Sequence, residues 1–280
     1  MEERQSVEKS IIKKFRKEIW KPFVSAVVQY ELIQENDKIA VCMSGGKDSM
    51  LMAKCMQEIQ KHGKFHFDMV FLVMDPGYNQ INRQAIESNA AFLNIPIQIF
   101  DTQIFDIVAT VDESPCYLCA RMRRGYLYSR ARELGCNKIA LGHHFDDMIE
   151  TVLMSMLYSG EIRTMMPKLK STNFPGMELI RPMYKVREAD ILHWKRYHEL
   201  AFIQCACRLT ENCVLGDAGI GSKRQEMKTL VKKFRQTNPH IDQNIFNSIH
   251  NVNLETVIGY RDRNGVHNFL DSYAGTSSED

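Results

Sequence analysis

The six residues Ser44-Gly45-Gly46-Lys47-Asp48-Ser49 carry the densest chemistry in this chain. Two adjacent glycines let the backbone approach a phosphate closely, and successive amides opening a helix supply partial positive charge. Lys47 adds a full cation, while Ser44 and Ser49 add hydroxyl donors. Asp48 is out of place beside phosphates unless Mg²⁺ accompanies them, in which case its carboxylate holds the metal directly or through water. The spacing is not that of the Walker loop, which sets its lysine farther from its first glycine.

Two further groups stand out. Cys116 and Cys119 are spaced CxxC behind Pro115 and ahead of Arg121, Arg123 and Arg124. A helix N-terminus and nearby guanidinium groups favour thiolates, and two cysteines at this spacing share one metal or cluster. Cys205, Cys207 and Cys213 follow far downstream. The residues alone leave a structural zinc and an iron–sulfur cluster both open, and leave open which later cysteine completes the set. Cys42, Cys55 and Cys136 sit in apolar contexts and read as small core residues. The second group is Gly142-His143-His144-Phe145-Asp146-Asp147. Here Asp146 reads as a charge at a helix start, Asp147 as a nucleotide or metal ligand, and the histidines as hydrogen-bonding or core groups.

The elements that must position these residues follow from hydrophobic period and breakers. A helix is predicted over 6–35, then a buried strand over 38–43 that runs into the glycine loop and a helix over 48–62. Strand 67–74 stops at Asp75-Pro76-Gly77, and helix 79–93 leads to strand 97–100. Helix 117–134, strand 138–141 and helix 146–158 come next. A hairpin pairs 165–169 with 178–181, and helices return at 187–200, 222–237 and 240–250. This βαβα alternation predicts an α/β fold, a parallel sheet sandwiched by helices, with ligands bound beyond the carboxyl ends of the strands. The expected organisation is a helical segment over 1–36, a catalytic domain over 37–220, a helical segment over 221–270 and a disordered tail over 271–280.

The net charge of the 280 residues is only +2, so the total does not mark a nucleic-acid binder. Basic residues nevertheless crowd 9–21, 121–132 and 223–235, patches that can steer a polyanion or simply face solvent. No apolar run is long enough to span a membrane and the first residues are not signal-like, so a cytoplasmic location with reduced thiols is expected.

Ser-Gly-Gly-Lys-Asp-Ser after a strand resembles the PP-loop of the N-type ATP pyrophosphatases, whose fold is adenine nucleotide alpha-hydrolase-like. That resemblance places adenine against the backbone of Met74 and implies ATP with Mg²⁺ held by Asp48. The larger pattern is similar to the tRNA 2-thiocytidine synthetases, from about Ile39 to Val252. It includes the Cys116/Cys119 helix with Arg121 to Tyr128 and the Gly142 to Asp147 segment. It also takes in Met166-Pro167-Lys168-Leu169, Ile180-Arg181-Pro182 and Asn247 to Val252.

The resemblance implies adenylation of O2 of an anticodon-loop cytosine, then replacement of that oxygen by sulfur. It implies a [4Fe–4S] cluster on three cysteines, with Cys116 and Cys119 carried over and Cys205 matching the third by its place after Phe202-Ile203. Cys207 and Cys213 are the alternatives. Catalytic positions would be Lys47, Asp48, Asp147 and the cysteines. Nucleotide contacts would come from residues 44–49, Met74, Gly142 and Asp147. Partners would be tRNA, a sulfur donor (a cysteine desulfurase or sulfide) and a second copy of the chain. Two departures stand against the family pattern. The downstream Cys run is Gln204-Cys205-Ala206-Cys207, without the family's Pro-Cys-x-x-Cys-Gly-Ser, and Phe145 replaces an arginine. They motivate a second reading, action on another base or a small molecule. A third reading is a nucleotide- or RNA-binding protein with structural zinc.

Overall fold

The computed structural model describes residues 2–64, 66–108, 110, 115–203 and 223–273. Its centre is a six-stranded sheet formed by β1 (Lys38–Met43), β2 (Asp68–Asp75), β3 (Ile97–Asp101), β4 (Lys138–Ala140), β5 (Lys168–Lys170) and β6 (Glu178–Ile180). The strand order is β3-β2-β1-β4-β6-β5, parallel except that β5 runs antiparallel to β6. β1 and β2 read as nearly continuous apolar runs because helices cover both faces of the sheet. The chain builds outward from β1 through β2 to β3, then crosses to β4 on the other side. That reversal opens a crevice between the loops that follow β1 and β4.

Helix α1 (Glu2–Ile12), a π-helical turn (Arg16–Trp20) and α2 (Lys21–Gln29) replace the single helix expected over 6–35. Helix formation stops at Gln29, and Glu31 and Asn36 take left-handed backbone conformations that bring the chain round into β1. Ile11, Phe15, Ile19 and Phe23 from this region are at most 1% exposed and belong to the main core. Burying each stabilises the fold by roughly 1.5–3 kcal/mol. Helix α3 (Lys47–His62) lies beneath them and against β1, so every residue from Ser49 to Met56 is buried. Its one buried cation, Lys54, donates to Glu8, Gln57 and the Leu93 carbonyl at 2.6–2.7 Å.

The other expected helices appear as α4 (Gln80–Phe92), α6 (Pro115–Glu133), α7 (Phe145–Ser159), α8 (Glu188–Tyr197), α9 (Lys223–Thr237) and α10 (Ile241–Ser248). Short α5 (Ile104–Val108) was not anticipated, because five residues are too few to show a period. Nor were the hairpin of β7 (Gly259–Asp262) and β8 (Gly265–Asn268) and the closing α11 (Leu270–Tyr273). Residues 271–273, assigned to a disordered tail, are therefore helical, and 274–280 fall outside the described residues.

Candidate active site

β1 delivers the glycine loop to the crevice. Gly45 has φ +80°, a left-handed conformation, and an added Cβ would lie 2.5 Å from Ile86 Cγ1 and 2.8 Å from Ile203 Cδ1. Gly46 is the N-cap of α3 and receives no side-chain cap, so the first amides of the helix are left for a ligand. Ser49 Oγ is 3.3 Å from Ser44 Oγ, accepts from the Ser44 amide at 3.2 Å and donates to the Gly46 carbonyl at 3.0 Å, which fixes the turn. Gly142, on the loop after β4, comes so close to α3 that a Cβ there would lie 3.1 Å from the Ser49 amide nitrogen.

The charged groups are organised around this turn. Lys47 Nζ lies 3.1 Å from Asp48 and 3.2 Å from Glu188 Oε1. Burial pulls the Lys47 pKa down, but the two carboxylates outweigh it and hold it above its ordinary value. Asp48 Oδ1 is buried and accepts no hydrogen bond, although the Lys47 ammonium that bonds Oδ2 is also 3.1 Å from it. A carboxylate oxygen without a hydrogen bond beside a phosphate cradle suits a hard divalent cation once Lys47 turns to the phosphates. Glu188 also accepts from Lys228 at 3.0 Å, so one carboxylate joins the glycine loop to α9.

His144 caps α7 reciprocally with Asp147. The Asp147 amide donates to His144 Nδ1 at 3.4 Å, and the His144 amide donates to Asp147 Oδ2 at 3.0 Å. Asp147 Oδ1 accepts from Arg224 at 2.9 Å, and the same guanidinium group reaches buried Glu150 at 2.9 Å. Asp146 accepts from the Glu188 amide at 2.7 Å and from Arg235 at 2.9 Å. Asp147 thus spends both oxygens on structure while still lining the cleft described next.

A single cleft of 830 Å³ gathers the expected residues. Ser44, Asp48, Ser49, Met74, Gly142, Asp147 and Cys119 all line it. Arg123, Arg124, His143, Arg181 and Arg224 line it too, so four guanidinium groups face two carboxylates. Gly45 and Gly46 shape the loop behind it, and Lys47 is turned to Glu188. Cys116 lies one turn before Cys119 on α6. Cys205, Cys207 and Cys213 lie outside the described residues, and among those described no three His, Cys, Asp or Glu side chains converge on a metal position. Cys42, Cys55 and Cys136 are buried as expected, and burial pushes the Cys42 thiol up to about 12.

The PP-loop domain family matches residues 10–209. The tRNA-cytidine(32) 2-sulfurtransferase of Paracidovorax citrulli (strain AAC00-1) is 33% identical over 243 residues, 85% of this chain and 75% of that protein. The chain belongs to the tRNA-cytidine(32) 2-sulfurtransferase family of PP-loop proteins. A second relative so named, from Paraburkholderia xenovorans (strain LB400), is 35% identical over 231 residues, 81% of this chain and 66% of its own. The chain therefore spans two thirds to three quarters of the length of these relatives. Among solved structures, the U34-tRNA thiolase NcsA from Methanococcus maripaludis with its [4Fe-4S] cluster has a TM-score of 0.64 at 22% identity. That match covers 87% of this chain and 80% of the other, a likeness of fold.

In this member of the 2-sulfurtransferase family, Phe145 does not face the cleft. It is 4% exposed, stacks on Phe246 with ring centroids 5.1 Å apart, and lies under the Arg187 guanidinium group. Phe145 therefore packs α7 on α10 and takes no part in lining the cleft. Nothing local in the sequence marks Glu188, and Arg224 and Lys228 show there only as members of the basic run 223–235, not as partners of the cleft carboxylates. Arg181 was visible only as part of the Ile180-Arg181-Pro182 match.

Proposed function

We propose that this protein thiolates a cytidine of tRNA at the expense of ATP. The observation that carries the reading is that one cleft is lined by the phosphate loop, Met74 and Cys119 together. A phosphate loop by itself specifies only nucleotide cleavage. A thiol in the same cleft supplies the second half of a substitution at carbon.

ATP would lie with adenine against the Met74 backbone and its phosphates on the amides that open α3. Asp48 fits the accompanying Mg²⁺ because its Oδ1 is buried without a hydrogen bond. Lys47 would exchange Glu188 for the phosphates, which carry more charge. Cytosine O2 attacks the α-phosphorus and pyrophosphate departs, so an inert carbonyl oxygen becomes part of a leaving group. A sulfide then bonds to C2, the C2–O2 bond breaks, and the oxygen leaves on AMP. Arg123, Arg124 and Arg224 are placed to balance the anionic groups as they separate.

The soft donor set fits a [4Fe–4S] cluster held by Cys116, Cys119 and Cys205, with Cys207 and Cys213 as alternatives. Ile203, two residues before Cys205, packs against Gly45 of the loop, which supports bringing the third thiol to this cleft. Such a cluster, when bound, supplies an open iron at which sulfide can be held. The sulfide would come from a cysteine desulfurase or from solution. Exposed Arg121, Arg132 and Lys233 give tRNA phosphates a surface to meet. Among the described residues no helix is long and apolar enough to cross a membrane. A cytoplasmic site of action on tRNA is part of the proposal. Association of two copies is also part of the proposal.

The test is anaerobic incubation of the purified protein with ATP, Mg²⁺, sulfide and unmodified tRNA, followed by nucleoside mass spectrometry. Formation of 2-thiocytidine with matching pyrophosphate supports the reading, and absence of any thiolated cytidine overturns it. Cys119→Ala is expected to abolish both thiolation and the brown chromophore while leaving ATP affinity unchanged.

A further inference from the structure

Two buried polar atoms that line the cleft have no use in the chemistry above. His143 Nδ1 and Arg181 Nε are each buried without a hydrogen-bond partner. They come from adjacent strand ends: Ala140 of β4 pairs with Ile180 of β6, and the Leu141 amide donates to the Ile180 carbonyl at 3.0 Å. β4 lies between β6 and β1, so His143 stands between Arg181 and the phosphate loop along the sheet. Arg181 is 9% exposed and does not swing freely, because its Nη1 donates to the Met166 carbonyl and its amide to the Pro167 carbonyl. Buried, directional and unsatisfied groups in a cleft of this size are the mark of a ligand edge.

We infer that Arg181 and His143 read the target pyrimidine, Arg181 Nε–H donating to ring N3 and His143 Nδ1 accepting from the exocyclic 4-amine. The inference rests on the proposed cytidine reaction and deepens it. Arginine has donors only, so its partner on the base must be an acceptor. Cytosine offers an acceptor at N3 with a donor at N4, whereas uracil offers a donor at N3 with an acceptor at O4. Arg181 therefore faces a donor in uracil whatever tautomer His143 adopts. Pairing N3 with Arg181 fixes the adjacent histidine as acceptor, and it leaves O2 on the far side of N3 free to meet the α-phosphorus. Burial and the neighbouring Arg181 charge push the His143 pKa down to about 4, so the imidazole keeps a lone pair at neutral pH. A good bidentate contact to a base edge discriminates against the wrong base by on the order of 10–10²-fold in binding.

The test uses two seven-nucleotide single-stranded RNAs that differ only in a central C or U, titrated into the full-length protein with ATP present. Wild type is expected to bind the C oligomer at least tenfold more tightly. His143→Leu should erase the preference, whereas His143→Gln, which restores an acceptor, should recover part of it. Arg181→Gln, whose amide both donates and accepts, should bind the two equally and gain affinity for U, a gain that misfolding cannot produce. Equal binding of C and U by wild type, or an undiminished preference in His143→Leu, overturns the inference. If wild type discriminates but forms no 2-thiocytidine, the proposed reaction fails while the reading of the base stands.

Discussion

Replacing Gly142 by alanine probes whether the β4 loop and the phosphate loop act as one unit. The new Cβ would lie 3.1 Å from Ser49 N, 3.2 Å from the Asp48 carbonyl carbon and 3.3 Å from Ser49 Cα. All three neighbours are backbone in the first turn of α3, so no side chain can rotate away. Ordinary contact begins near 3.4 Å, so the overlap must be relieved by moving the loop or the helix start by about 0.3 Å. Overpacking of this kind costs roughly 1–3 kcal/mol, a modest fraction of the stability of a domain this size. The same shift acts on amides that must point at the phosphates. Since a 1 Å misplacement can cost about 10²-fold in rate, a few tenths of an ångström is expected to cost about three- to tenfold. The assay is ATP–pyrophosphate exchange in the presence of tRNA, with urea unfolding measured in parallel. The expected result is a several-fold loss of exchange with the protein still folded and the tRNA dissociation constant unchanged. Full exchange activity at wild-type stability would show that the two loops are not in the contact described, and the positioning argument would fail.

Glu188→Gln weakens the clasp on Lys47 and Lys228 and is expected to change the KM for ATP several-fold with a smaller effect on kcat, checked by steady-state kinetics. Burial raises the Glu188 pKa, but the Lys228 hydrogen bond and the Lys47 charge reverse this and leave it below the ordinary carboxylate value. Its stabilising contribution is therefore complete above the unfolded pKa and is lost as pH falls through the folded one, so Glu188→Gln should flatten the acid limb of the stability–pH curve. Asp37→Ala removes the nearest counter-charge of buried Lys138, whose ammonium is 2.6 Å from Asp37 with both side chains at most 4% exposed, and leaves it the Leu32 carbonyl at 3.2 Å and Glu178 at 3.6 Å; a loss of about 3 kcal/mol in urea unfolding is expected. His143, with its pKa depressed to about 4, is expected to show no imidazole titration by NMR between pH 8 and pH 5.5. Because the unfolded chain binds that proton nearer pH 6.5, the histidine's contribution to stability declines as pH falls from there toward 4.

The phosphate loop, the CxxC helix start and the alternation of strands and helices that makes a parallel sheet were legible in the sequence because each depends on local rules. Adjacent glycines, a period of two or 3.6 and a breaker at Asp75-Pro76-Gly77 act within a few residues. The strand ends then bring Ser44, Met74, Gly142 and Asp147 to one crevice, as a parallel sheet requires. What the sequence could not determine depends on partners distant along the chain. Lys47 meets Glu188, Asp147 meets Arg224 and Asp146 meets Arg235 only once α8 and α9 are docked against α7. Asp147, read from the sequence as a ligand, also closes a capping box on α7 and pairs with Arg224, contacts that depend on where the preceding strand ends and where α9 docks. His143 and Arg181 stand out only through the hydrogen bonds they lack, and satisfaction of a buried group is a property of the whole packed interior. Local pattern fixes which chemistry the loop can hold. Tertiary packing decides which charges are already occupied and which are left waiting for substrate.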